Sequence, residues 1–278
     1  MKVHELHYSN TNTYLIEGTR GRLVFDTGWA GTFGAFCRAC GELSVPVQSI
    51  DFVMISHFHP DHMGIAQEIA NLGATVLVAD QQKTFLHAAD AIFAREKNSP
   101  FVPIVDASVR TFSPAESRRI LAQVGIDGEV FATPGHSDDS ISLWLDDGSL
   151  FVGDLNPLYE LEMHRGTAIE ESWNRLLALE PKKVYYGHAT TAVLGESGDA
   201  VSKEISASSD DSGDKLILVS AIVKLIDRGC SLEKICKKTG VDADFAENVM
   251  RMYLTHQNIG VQGILDRIEL RDKSVRKQ

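Results

Sequence analysis

A chain of 278 residues with 44% apolar side chains has room for one large domain, or for a domain with a small appendage. No apolar run reaches the ~20 residues that a membrane helix needs, and Met1-Lys2-Val3-His4-Glu5 lacks the hydrophobic stretch of a secretory signal. The expectation is therefore a cytoplasmic chain with no membrane contact. A net charge of −11 disfavours nucleic acid as a partner of the whole molecule, because phosphate contacts need a basic face.

Val3 to Tyr8, Thr13 to Glu17 and Leu23 to Asp26 read as short strands, with Gly18 to Gly21 as a hairpin turn. The third strand ends in Asp26-Thr27-Gly28, where the carboxylate either supports a nearby site or bonds its own turn. A helix is expected from Thr32 to Leu43. It carries Cys37 and Cys40, a C-x-x-C that is neither at a helix start after a strand nor matched by a second pair; Cys230 and Cys236 lie far off. All four read as ordinary free thiols.

Ile50 to Ile55 is apolar and β-branched, a buried strand. It runs into Ser56-His57-Phe58-His59-Pro60-Asp61-His62-Met63-Gly64, and from Gly64 to Leu72 the spacing of Ile65, Ile69 and Leu72 is helical. Three imidazoles and a carboxylate thus crowd within six residues on a strand-to-helix loop, where α/β folds keep their sites. Side chains that each offer a lone pair repel one another there, and a cation relieves that repulsion. Imidazole with carboxylate suits zinc, iron or manganese.

Ala74 to Ala79 is a strand, Gln81 to Glu96 is expected as a helix, and Asn98 to Val105, with two prolines, as a loop over the site. After the strand Val109 to Phe112, Ser113-Pro114-Ala115-Glu116 has the residues of a capped helix start, running to Val124. Glu129 to Thr133 leads into Pro134-Gly135-His136. Ser140 to Leu145 and Ser149 to Val152 form a hairpin over Asp146-Asp147-Gly148 and deliver Gly153-Asp154. A helix from Ile169 to Leu179 and a strand from Lys183 to Tyr186 then deliver Gly187-His188. Three times a strand ends in glycine followed by a ligand type, glycine allowing close backbone approach.

Residues 194–214 are rich in Gly, Ser, Asp and Glu and read as a linker. The helical remainder, 215–278, has 12 basic and 8 acidic residues, net +4 against −15 for the rest. Ser231 is a plausible cap for one helix there, and Asp242 or Asp244 for the next, through Met250 and Tyr253. The pair has the rhythm of a helix-turn-helix, which opens the reading of a DNA-binding regulator carrying a sensing domain. A helical appendage that makes a homodimer or covers the active site is the plainer reading.

His57-x-His59-x-Asp61-His62 followed by Gly135-His136, Gly153-Asp154 and Gly187-His188 resembles the metallo-β-lactamase superfamily over residues 1–193. The resemblance implies an α/β fold, the four-layer αβ/βα sandwich, with the 215–278 helices as a small appendage. It also implies a two-metal site. His57, His59 and His136 would hold the first ion, Asp61, His62 and His188 the second, and Asp154 would bridge them, with Asp26 supporting the site. The ions would be Zn2+, with iron or manganese as alternatives, sharing a hydroxide that attacks the substrate. Asp61 and Asp154 are the catalytic carboxylates on this reading.

Departures within that family narrow the substrate. Its true lactamases usually carry cysteine at the Asp154 position and lack a His62; its flavin-linked di-iron members carry glutamate at the His59 position. Its capped RNA-processing members need a long insertion where only 33 residues separate Asp154 from His188. The expectation is a dinuclear metal-dependent hydrolase of a small ester, thioester or lactone, similar to glyoxalase II and the lactonases. A phosphodiesterase or nuclease of the same fold is the alternative, beside the regulator. Tyr159, Glu162, His164 and Arg165 are the candidate contacts to a small-molecule substrate. Asp138 and Asp139 would orient His136 or cap the next strand.

Overall fold

The computed structural model describes residues 1–94, 100–194, 212–227 and 230–255. Most of the expected linker and the chain from residue 256 onward lie outside the described residues, as does the start of the loop read from Asn98. The chain divides into two compact units, Met1–Gly198 and Asp199–Gln278.

In the first unit the strands β1 (Lys2–Leu6), β2 (Thr13–Glu17) and β3 (Arg22–Phe25) form a meander, with Gly18 N–H donating to Gly21 O at 2.9 Å in the turn. The helix α1 (Phe33–Glu42) crosses to β4 (Phe52–Met54), parallel to β3. Two short helices follow, α2 (Pro60–Met63) and α3 (Ala66–Ala70), then β5 (Thr75–Ala79), the turn α4 (Asp90–Phe93) and β6 (Val109–Phe112). These six strands make one mixed sheet in sequence order.

After α5 (Ser117–Leu121) come β7 (Gly128–Ala132), β8 (Ile141–Leu145) and β9 (Ser149–Gly153), then α6 (Ala168–Leu177), β10 (Lys183–Tyr186) and β11 (Ala192–Val193). The second sheet has the order β11-β10-β9-β8-β7. The two-residue edge strand β11 was too short to leave a pattern in the sequence.

Period-two alternation builds the layers. On the first sheet Tyr14, Ile16, Leu23, Phe25, Phe52 and Met54 face one core, which they share with Ile141, Leu143, Leu145 and Phe151 of the second sheet. The intervening Leu15, Val24, Val53 and Val76 face outward against Phe36 and Cys40 of α1 and Ala66 and Ile69 of α3. On the far side Leu150 and Val152 of β9 meet Ile169, Trp173 and Leu176 of α6, one helical stripe. Helices, sheet, sheet and helices are the four layers that the family resemblance implied.

The helix expected over Gln81 to Glu96 is not continuous. Residues 80–89 run as successive tight turns, with Phe85 N–H on Gln82 O and Ala88 N–H on Phe85 O, before the single turn of α4. Gln82 is the reason: fully buried, its amide donates to Ile55 O at 2.9 Å and accepts from Ala79 N–H at 3.1 Å, which ties the segment to two strand ends. The helix expected after Gly64 also changes. It starts earlier, at Pro60, and breaks at Ile65, whose φ of −119° leaves helical range. Asp61 and His62 therefore sit in a helical turn rather than on the open loop.

The second unit packs α7 (Ser212–Asp227), α8 (Leu232–Thr239) and α9 (Ala243–Thr255) around Val219, Ile222, Ile235, Ala246 and Val249. Gly240, at φ +74°, ends α8 in the left-handed conformation, and Asp242 Oδ1 accepts the Phe245 N–H to start α9. Ser231 stands at the cap position of α8 without a side-chain bond. Among the described residues no helix is long and apolar enough to cross a membrane.

Candidate metal centre

Strand direction gathers the candidate ligands. β3 and β4 are parallel, so Asp26, just past β3, and Ser56 to His59, just past β4, lie at one edge of the first sheet. β7 and β9 are both antiparallel to β8 and therefore run alike; β10 is parallel to β9. Their carboxyl ends deliver His136, Asp154 and His188 to one edge of the second sheet.

All seven residues singled out as ligands come together there. Among the described residues three sets hold ligand atoms within 4.8 Å of one another: His57, His59 and His136; His57, His62 and Asp154; and Asp61, His62 and His188. In the first, His59 Nδ1 lies 2.9 Å from His57 Nε2 and 3.2 Å from His136 Nε2. In the last, His188 Nε2 lies 3.2 Å from His62 Nε2 and 3.1 Å from Asp61 Oδ2. Asp154 turns one oxygen to each side: Oδ1 is 3.3 Å from His62 Nε2 and 3.4 Å from His188 Nε2, and Oδ2 is 3.6 Å from His136 Nε2.

The glycines before these ligands are spatial necessities. A Cβ on Gly153, itself at φ +56°, would lie 2.4 Å from Ser56 Oγ. One on Gly187 would lie 2.6 Å from Asp154 Oδ1 and 2.8 Å from His62 Cε1.

Buried hydrogen bonds turn the imidazoles inward. Asp26, at φ +61° and fully buried, accepts from Ser56 N–H at 2.7 Å, from Ser56 Oγ–H at 2.9 Å and from His62 Nδ1–H at 2.9 Å. Ser56 Oγ in turn accepts from His57 Nδ1–H at 3.0 Å, and His188 Nδ1–H donates to Asn10 O at 2.9 Å. With Nδ1 committed as donor in these three rings, Nε2 carries the lone pair into the shared space, as second partners of metal-binding histidines do.

The electrostatics ask for positive charge. Among the described residues no donor of good geometry reaches either buried oxygen of Asp61, an arrangement that is costly unless a cation is near. Burial pushes the Asp61 and Asp154 carboxyls up, yet the imidazoles of His62 and His188 outweigh it and hold both below the usual carboxylate range. Burial lowers His62 as well, but Asp154, Asp26 and Asp61 raise it well above its ordinary value. His57 goes the other way, held well below by burial and by the imidazoles of His62, His59 and His136. Buried carboxylates beside imidazoles thus favour positive charge in the shared space, and the donor set of imidazole and carboxylate fits a divalent metal ion.

Tyr159, Glu162 and His164 lie in a 3-10 turn, Leu158–His164, that follows Asp154, and Arg165 is the residue after it. The side chains of Tyr159 and Glu162 fall outside the described residues. His164 Nε2 is 3.9 Å from Glu160 Oε2, and Arg165 is exposed. Glu160, not singled out in the sequence, is buried and accepts from the Asn156 amide at 2.8 Å. Asp139 Oδ2 accepts the Phe58 N–H at 2.7 Å and its Oδ1 the Ser137 hydroxyl, beside His136. Also unforeseen was the turn Asn10-Thr11-Asn12, which donates from Thr11 Oγ1 to Asp61 O at 2.6 Å and from Asn12 N–H to Gly187 O at 2.7 Å. Its run of hydroxyls and amides between two strands was the available signal.

Residues 8–188 match the family model described as the metallo-beta-lactamase superfamily. The chain is 26% identical over 185 residues to the Beta-lactamase-like protein 2 homolog of Drosophila melanogaster, covering 64% of this chain and 58% of that protein. It is 29% identical over 150 residues to the Lactamase-like protein nscB of Trichophyton rubrum, covering 54% and 39%. The matches thus span less than two thirds of these relatives' own length. Among solved structures, the metallo-beta-lactamase family protein TTHA1429 of Thermus thermophilus superposes with a TM-score of 0.53 at 18% identity, over 91% of this chain and 92% of that one. TTHA1623, solved in a di-iron-bound form, gives 0.53 at 23% identity, over 69% and 94%. At these identities the likeness carries the fold.

Proposed function

Because the chain belongs to the metallo-β-lactamase superfamily, a family of metal-dependent hydrolases, we propose that it hydrolyses a small ester, thioester or lactone through two divalent cations, zinc first among them. The observation that carries the reading is Asp154, one carboxylate turned toward both histidine sets. On this reading His57, His59 and His136 hold one ion, Asp61, His62 and His188 the other, and Asp154 lies between. Bound there, the ions would supply an activated water near neutral pH and polarise an acyl carbonyl.

The protein's own residues do the rest. Asp26, Ser56 and Asn10 keep His57, His62 and His188 in the tautomer with Nε2 inward. Asp61 and Asp154 are the acid–base and orienting candidates, and burial of the site excludes bulk water from them. Tyr159, His164 and Arg165 remain the proposed substrate contacts, supported by their place in the turn after Asp154. The proposed setting is cytoplasmic. A homodimer through the C-terminal helices is part of the same proposal.

Asp242 and Asp244 stand exposed at the start of α9, where a helix-turn-helix would meet DNA. Carboxylates there repel phosphate, so the enzyme reading is preferred over the regulator. The test is an assay panel of thioesters, lactones, a β-lactam and bis-p-nitrophenyl phosphate on protein stripped of metal and reloaded with zinc. Turnover of a thioester or lactone, abolished by chelation and by Asp154→Ala, is the expected result. Turnover of the phosphodiester alone would overturn the acyl-hydrolase reading.

A further inference from the structure

We propose that Asp139 is a positioning residue that sets the geometry of the first cation position alone, while a separate brace sets the second. The inference rests on the two-cation reading above. The first position draws on two loops from two sheets: His57 and His59 follow β4, and His136 follows β7. Phe58 sits between the first two ligands and Ser137 beside the third. One carboxylate, 1% exposed, accepts from the Phe58 N–H at 2.7 Å and from the Ser137 hydroxyl. It therefore fixes a neighbour of each ligand in that set and spans the gap between the sheets.

The strand ends are joined without it. Ile141 N–H donates to Ser56 O at 2.8 Å, and Thr133 N–H to Ser140 O at 2.8 Å. Removing the Asp139 side chain loosens the loop tips and leaves the two sheets connected.

The second position is held by other groups. Thr11 Oγ1 donates to Asp61 O at 2.6 Å, Thr27 Oγ1 to His62 O at 2.9 Å, and His188 Nδ1 to Asn10 O at 2.9 Å. Asp139 touches none of these in the bonds it accepts. Asp26 reaches both sides, through His62 directly and His57 by way of Ser56. Asp139 and Thr11 are thus the places where the two positions can be disturbed one at a time.

The experiment titrates the metal-free full chain with cobalt(II) and follows its absorption bands. His136→Ala and His188→Ala identify which binding step belongs to which position. Asp139→Ala should weaken the His136-dependent step ~10–100-fold and leave the other unchanged. Thr11→Val should do the reverse. Asp139→Asn should bind as the parent does, since its amide oxygen accepts the Phe58 N–H and its NH2 donates to the Ser137 hydroxyl. Asp139 also bears electrostatically on His59, so an asparagine variant as weak as the alanine one would assign the effect to charge and overturn positioning. Equal weakening of both steps, or of neither, by Asp139→Ala would overturn it too. A parent chain that takes up no cobalt would instead remove the two-cation reading itself.

Discussion

A Cβ at Gly187 would run into Asp154 and His62, a matter of single atoms. Gly187→Ala places a methyl carbon 2.6 Å from Asp154 Oδ1. A displacement near 1 Å in a reacting constellation costs on the order of 10²-fold in rate. Turnover should fall by about that factor with the circular dichroism spectrum intact; unchanged turnover would show that the carboxylate has room to spare. Away from the site, Glu17 is held below its ordinary 4.5 by the hydrogen bond from His4 and by Arg22. A carboxyl depressed in the folded state stabilises above its unfolded value and loses that contribution as pH falls through the folded one. Glu17→Gln should therefore cost less than about 1 kcal/mol at neutral pH, and the difference in denaturation midpoint should shrink as the pH drops below 4.5.

At the scale of elements, α6 carries a greater share of stability than its ten residues suggest. Trp173 is fully buried between α6 and the second sheet, with Nε1 donating to Asn156 O at 2.8 Å. Asn156 lies two residues past Asp154, so the same ring that fills the layer also holds the loop leaving the site. Trp173→Ala should destabilise the first unit by about 3–5 kcal/mol, read by denaturant unfolding, and reduce metal retention besides. The expected helix over Gln81 to Glu96 shows the opposite lesson. Its apolar spacing is helical, yet the tertiary bonds of Gln82 to Ile55 O and Ala79 N–H win over that spacing.

For the whole molecule, ligands from both sheets meet at one edge, so cations there would cross-link the sandwich. Binding to the folded state alone adds about 2.7 kcal/mol for one ion at a hundred times its dissociation constant. Chelation should lower the melting midpoint of the first unit by roughly 5–10 °C. The second unit contributes none of the seven ligands, and its melting should not move. Differential scanning calorimetry with and without EDTA reads both; a midpoint indifferent to EDTA would count against resident cations.

The candidate ligands were legible in the chain because four crowd after one strand and the other three each follow a strand and a glycine, and both patterns are local. The strands were legible too, since an apolar run such as Ile50 to Ile55 needs no distant partner, whereas their stacking into layers was implied by the family resemblance. What holds the ligands in place was decided only by the tertiary structure. The Asp139 bond to Phe58 spans 81 residues and the His188 bond to Asn10 spans 178. A hydrogen bond between loops of two sheets depends on how those sheets stack, and no local pattern encodes that. Composition marks a polar residue as able to bond; packing alone selects its partner.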